Sequence, residues 1–238
     1  MPKDLVQKKR RVDAAPCVKV ETSEDGGEQS DFWEPFRRLF NSPVHYDVKL
    51  CIGKQRIPFH GHSLVFQIRC PRLARLLPTQ SSTKRNIAFE VHKDACTIRR
   101  MLEYIYTGNY SRASDMMPHP CEEDIDEHIL THTKLFLLAH EYELAGLKDI
   151  CYTRCKEACK DEWDCASFCE SIRELFATDQ VAPNMLNLMT DTALSHADEL
   201  LLDERFSRML KDNPDVSVFF ARNLLSRHRS SEGSDSTL

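Results

Sequence analysis

Glycine is scarce, with seven in 238 residues. Loops that cradle phosphates or dinucleotides concentrate glycine where the backbone must approach the ligand closely. No Walker, Gly-x-Gly-x-x-Gly or Gly-x-Ser-x-Gly pattern occurs. Long apolar runs are missing as well, and none approaches the roughly 18 residues needed to span a bilayer. The charge is nearly balanced: 32 basic against 37 acidic residues leave −5, which offers no global attraction for nucleic acid or anionic lipid. The opening residues, Met1-Pro2-Lys3-Asp4-Leu5, lack the apolar centre of a secretory signal. The expected compartment is therefore the nucleus or the cytoplasm, where thiols stay reduced. Ten cysteines are then expected as small core residues or metal ligands and not as disulfides. The chain is long enough to bury a substantial core as one large or two small domains.

The basic run Lys8, Lys9, Arg10 and Arg11 precedes an acidic stretch from Glu21 to Asp31, with little apolar surface to bury. Residues 1–30 are expected to be disordered. Phe32, Phe36, Leu39 and Phe40 fall on one helical face, which Pro43 ends. Asp47 to Ile52 alternates as a half-buried strand does, and Gly53-Lys54 turns it into a second strand, Gln55 to Phe59. Short amphipathic helices are expected at His62 to Ile68 and Pro71 to Leu77, then a strand at Asn86 to Val91.

Asp94 is placed to cap a helix whose apolar face is Cys96, Ile98, Met101, Leu102, Ile105 and Tyr106, and Gly108 to end it. A polar loop, Ser111 to Asp126, follows. The rest reads as helices: His128 to Glu143 and Leu147 to Cys159 hinged at Gly146, then Trp163 to Phe176, Met185 to Leu202, Phe206 to Leu210 and Val216 to Leu225. The resulting division is a tail over 1–30, a first domain over 31–160, a helical extension over 161–226 and a serine-rich tail over 227–238, expected to be disordered.

Candidate chemistry is thin. Cys151, Cys155 and Cys159 recur every fourth residue, but on a helix they climb about 12 Å, too far to share one ion. His128 and His132 have the spacing of a zinc helix, yet Ile129 stands where a metalloprotease needs its glutamate. No cofactor, no metal site and no catalytic residue are expected, and the chain is not read as an enzyme. The run Lys8 to Arg11 reads as a nuclear-import signal, with a solvated charge run as the bland alternative.

Five motifs in order resemble the BTB/POZ domain: Asp47-Val48 at the first strand; Phe59-x-x-His62; Cys70-Pro71-x-Leu73; Tyr104-Ile105-Tyr106-Thr107-Gly108; and Leu138-Ala139-x-x-Tyr142-x-Leu144-x-x-Leu147. Cys70, Leu73 and Ser63 depart from the usual pattern, and the loop at Ser111 to Asp126 is enlarged. A short BTB domain with a helical tail is similar to a group of fungal BTB proteins. The resemblance implies an α+β fold, a small mixed sheet packed on helices, followed by the all-helical extension.

It also implies a protein-binding module that self-associates or recruits partners, with adaptor work in a cullin-based ubiquitin ligase as one form. The other form is a nuclear scaffold that assembles transcription complexes. Phe32, Trp33, Phe36, Phe40 and Asp47 are then candidates for a dimer or partner interface, with folding back onto their own core as the competing reading for the aromatics. For Asp47 a plain capping contact is the alternative. Met101, Asn109 and Tyr110 are candidates for facing a cullin. Direct nucleic-acid and membrane contacts are not expected.

Overall fold

A computed structural model describes residues 28–54, 56–77, 85–88, 94–110, 129–178 and 182–232. The sheet has three strands in the order β2-β1-β3, from β1 (Val48–Ile52), β2 (Ile57–Gly61) and β3 (Arg85–Ala88). β1 and β2 are antiparallel with Leu50 opposite Phe59, and β3 runs parallel to β1 with Ile87 opposite Leu50. Val48, Leu50 and Ile52 are buried while Lys49 is exposed, as period-2 alternation requires. Gly53 makes the turn at φ +65, and a Cβ there would stand 2.9 Å from that of Ala95. Glycine is thus needed for the backbone angle and for seating the hairpin on the next helix. The expected strand to Val91 begins as β3, and its end at Phe89 to Val91 lies outside the described residues.

Helices α2 (Ser63–Arg69), α3 (Pro71–Arg75) and α4 (Ala95–Thr107) follow the sheet. Pro71 occupies the first turn of α3, where its missing N–H goes unused. Asp94 caps α4 by accepting the Thr97 N–H at 2.8 Å, and Gly108 closes it at φ +77 with its N–H on the Tyr104 carbonyl. The core of this half is aromatic. Tyr106 meets Phe40, Phe59 and Phe66 edge-on, with centroids 5.8–6.0 Å apart.

Helices α5 (Ile129–Glu141) and α6 (Ala145–Asp161) pair closely, but the expected hinge at Gly146 is displaced. The chain turns at Glu143, at φ +59, and Gly146 lies within α6, where a Cβ would meet the Tyr104 hydroxyl at 2.5 Å, so the glycine serves close packing and not a hinge. Beyond it come α7 (Cys165–Phe176), α8 (Pro183–Ser195), α9 (Ala197–Leu202), α10 (Glu204–Asp212) and α11 (Pro214–Glu232). The single helix expected over Met185 to Leu202 is two, broken at His196. The serine-rich tail expected as disordered from Arg227 is helical as far as Glu232. The buried apolar side chains form one cluster from Phe40 to Phe220.

Candidate functional site

The approach to the sheet is made by α1 (Glu28–Arg37), which starts earlier than the aromatic spacing suggested and carries Pro35 inside it. Trp33 is its anchor. The Arg69 guanidinium lies 4.0 Å above the Trp33 ring, and the indole packs so tightly on Gly108 that a Cβ there would meet it at 2.4 Å. Trp33 therefore ties α1 to the ends of α2 and α4 of its own chain. Phe36 is half-buried against Trp33. Phe32 stands edge-on to Trp33 at 5.4 Å and remains 58% exposed.

Phe40 departs from the expectation of an interface residue. It lies past the end of α1 and is 7% exposed, with its ring 5.3 Å from Phe59. Asn41, at φ +50, turns the chain inward here and accepts the His60 N–H at 2.8 Å. Phe40 is thereby committed to the core.

Asp47 shows the capping contact. One carboxylate oxygen accepts the Ser63 N–H at 2.7 Å and the other accepts the Ser63 hydroxyl. It satisfies the start of α2 in place of His62, the residue at the cap position, whose ring is engaged elsewhere. His62 Nε2 lies 2.9 Å from the Val44 carbonyl, which can only accept, so Nε2 carries the proton and Nδ1 accepts from the Tyr106 hydroxyl at 3.1 Å. The same oxygen accepts the His62 backbone N–H at 3.0 Å. Burial pushes the Tyr106 phenol well above its ordinary range.

The outward surface of α2 is apolar where solvent would favour polar residues. Val65 and Phe66 point inward, leaving Leu64 at 65% and Ile68 at 59% exposed, one turn apart. Phe32 on α1 is exposed as well, and the Arg69–Trp33 contact joins α1 to α2; on α3 the exposed Arg72 pairs with Glu143 at 2.8 Å. Leu64 and Ile68 were not singled out from the sequence, although a seven-residue helix with four apolar side chains is a readable signal.

Two of the three residues expected to face a cullin are interior. Met101 is fully buried on the α4 core face, and Tyr110 is 1% exposed with its hydroxyl 2.9 Å from His132 Nδ1. Arg154 fixes that corner: its guanidinium lies 4.1 Å over the Tyr110 ring and donates to the Tyr110 carbonyl at 2.7 Å. Asn109 alone is exposed, and its side-chain oxygen accepts from Tyr110 N and Arg154 Nη2. The import candidates Lys8 to Arg11, and His128 of the histidine pair, lie outside the described residues.

Among the described residues no three His, Cys, Asp or Glu side chains converge on a metal position. Burial pushes the Cys151 thiol up to about 12 and Cys70 up to about 11. No helix of the described residues is long and apolar enough to cross a membrane.

The model of the BTB/POZ domain matches residues 36–158, more than half of the chain. The chain belongs to the BTB/POZ domain family. The match takes in the sheet, the Asp47–Ser63 cap, the His62–Tyr106 link and the α5–α6 pair, the elements that carry the five sequence motifs. BTB/POZ domains are protein–protein interaction modules, and that class of activity comes with membership. No curated protein matches the chain. Most of α1 precedes the BTB/POZ match, and α7 to α11 follow it.

Proposed function

We propose that the BTB/POZ domain of this chain self-associates through the face made by α1 and α2, with Phe32, Leu64 and Ile68 at its centre. The observation that carries this reading is the exposure of those three side chains, 58%, 65% and 59%. A contiguous exposed apolar patch marks an interaction surface, and the Arg69–Trp33 contact brings the two helices that carry these side chains together. Trp33 and Phe36 support the face from beneath, and Asp47 holds α2 at its angle. Burying all three on a partner is worth several kcal/mol, at about 1.5–3 kcal/mol for each large apolar side chain.

Light scattering at tens of micromolar tests it. The parent chain should be a dimer or larger, and Leu64→Ser with Ile68→Ser should convert it to a folded monomer. A monomeric parent defeats the proposal. In the same reading the assembled domain recruits a further protein as a non-catalytic adaptor, with a cullin-based ubiquitin ligase as the first candidate. Binding to a purified cullin N-terminal region is the direct test.

The nuclear-scaffold reading rests on Lys8 to Arg11. It requires nuclear accumulation that is lost when all four are replaced by alanine.

A further inference from the structure

Helix α11 changes character along its length. Its early turns are anchored. Val216 is fully buried, Phe219 meets the Phe176 ring of α7 at 5.4 Å, and Phe220 meets Phe206 of α10 at 6.2 Å. The Ser217 hydroxyl also donates to the Leu210 carbonyl at 2.7 Å. The helical backbone runs on to Glu232, yet no apolar residue occurs from Ser226 to Thr237. A helical turn that is polar all round has no face to commit to a core. Turns of that kind at a helix end open at little cost in free energy.

Those last turns hold a charge pattern that the chain shows nowhere else. Arg227 and Arg229 stand three residues and one residue before Ser230. Of all the serines and threonines, Ser230 alone has arginine at the third position before it, and Thr22 alone has lysine there. No acid interrupts the basic flank: between Asp215 and Glu232 there is no Asp or Glu, and Arg222 lies further back on the same side. A kinase that selects serines by a basic flank reads it with acidic side chains in its own cleft. It takes the substrate as an extended segment, which a turn without a packed face can supply.

We infer that Ser230 is a phosphorylation site for a serine kinase of the basic-directed class, with Arg227 and Arg229 as the residues that select it. In the transfer the Ser230 oxygen bonds to the γ-phosphorus of ATP and the bond from that phosphorus to ADP breaks. The hydroxyl proton passes to the kinase's catalytic aspartate. The product carries nearly two negative charges at neutral pH. It makes an acidic segment of Ser226 to Thr237, where two arginines are otherwise balanced by Glu232 and Asp235. The site lies beyond residue 158 and shares no residue with the self-association proposed for α1 and α2, so either can fail alone.

The test uses the full chain, Mg-ATP and the catalytic subunit of cyclic-AMP-dependent protein kinase, which prefers arginine ahead of serine. Tandem mass spectrometry should place a single phosphate on Ser230, and Ser230→Ala should abolish it. Arg227→Gln should lower kcat/KM about tenfold or more, with a smaller loss for Arg229→Gln. Hydrogen exchange of the unmodified chain should be fast at the amides of Ser226 to Glu232 and slow at Phe219 and Phe220. Phosphate placed chiefly on another residue, equal labelling of Ser230→Ala, or a rate within about twofold after Arg227→Gln would each overturn the inference. So would a chain left unlabelled while an unrelated substrate of the kinase is phosphorylated in the same tube, or exchange over Ser226 to Glu232 as slow as at Phe219.

Discussion

Replacing Tyr106 by phenylalanine removes one oxygen and leaves the ring in place. The side chain is fully buried, and that oxygen accepts the His62 N–H at 3.0 Å while its hydroxyl donates to His62 Nδ1 at 3.1 Å. His62 is itself 6% exposed, so water does not replace the lost partner. An orphaned buried N–H costs about 1–3 kcal/mol, and the imidazole forfeits a bond worth about 0.5–1.5 kcal/mol. The contacts with Phe40, Phe59 and Phe66 survive, so little is lost from packing. The expected loss is about 2–3 kcal/mol, a large part of a total near 5–15 kcal/mol. For a chain of this size the melting temperature should fall by about 5–10 °C. Urea denaturation should show a lower midpoint at an unchanged slope. A variant within about 0.5 kcal/mol of the parent refutes the reasoning: the oxygen would then be hydrated, and β2 would be joined to α4 by packing alone.

Two further outcomes follow from the interior. Cys70 and Cys151 are held above the ordinary thiol value of 9.0, at about 11 and about 12, because burial disfavours the thiolate. The unfolded chain releases these protons first, so their stabilisation is complete below pH 9 and is lost as pH rises toward 11–12. The melting temperature should drop over that window, and alanine at both positions should flatten the drop; an unchanged slope in the double variant contradicts the assignment. Limited proteolysis should not yield a stable fragment ending near Asp161, because Ser167 of α7 accepts the Leu130 N–H at 2.9 Å and Phe168 and Ile172 are buried in the shared cluster. Release of two independently folded halves would show that the extension is a separate unit.

What could be read from the chain was whatever local chemistry decides. Asp94 and Gly108 bound α4 as expected because a cap is settled within a few residues. β1 kept its alternation because one face must be buried, and the five ordered motifs fall within the region that the family match covers. The misplacements share a different cause. Met101 already belonged to the apolar stripe with Ile98, Leu102 and Ile105, so helical periodicity spoke against an exposed role that only the resemblance suggested. Tyr110 was not decided nearby at all: Arg154, 44 residues on, covers its ring and takes its carbonyl.

The break at His196 has no Pro or Gly to announce it; it goes with a stacking partner, Trp163, that is distant in sequence. Leu64 and Ile68 were passed over for the opposite reason. An apolar residue on a short helix is assigned to the core by default, and only the inward placement of Val65 and Phe66 shows that Leu64 and Ile68 of α2 stay exposed. The same reasoning applies to Leu201 and Leu202 in α9, where Leu200 alone turns inward. In both helices apolar residues are left over after the core is filled, and in α2 they carry the proposed contacts, which is why periodicity could find the helices and still miss the surfaces.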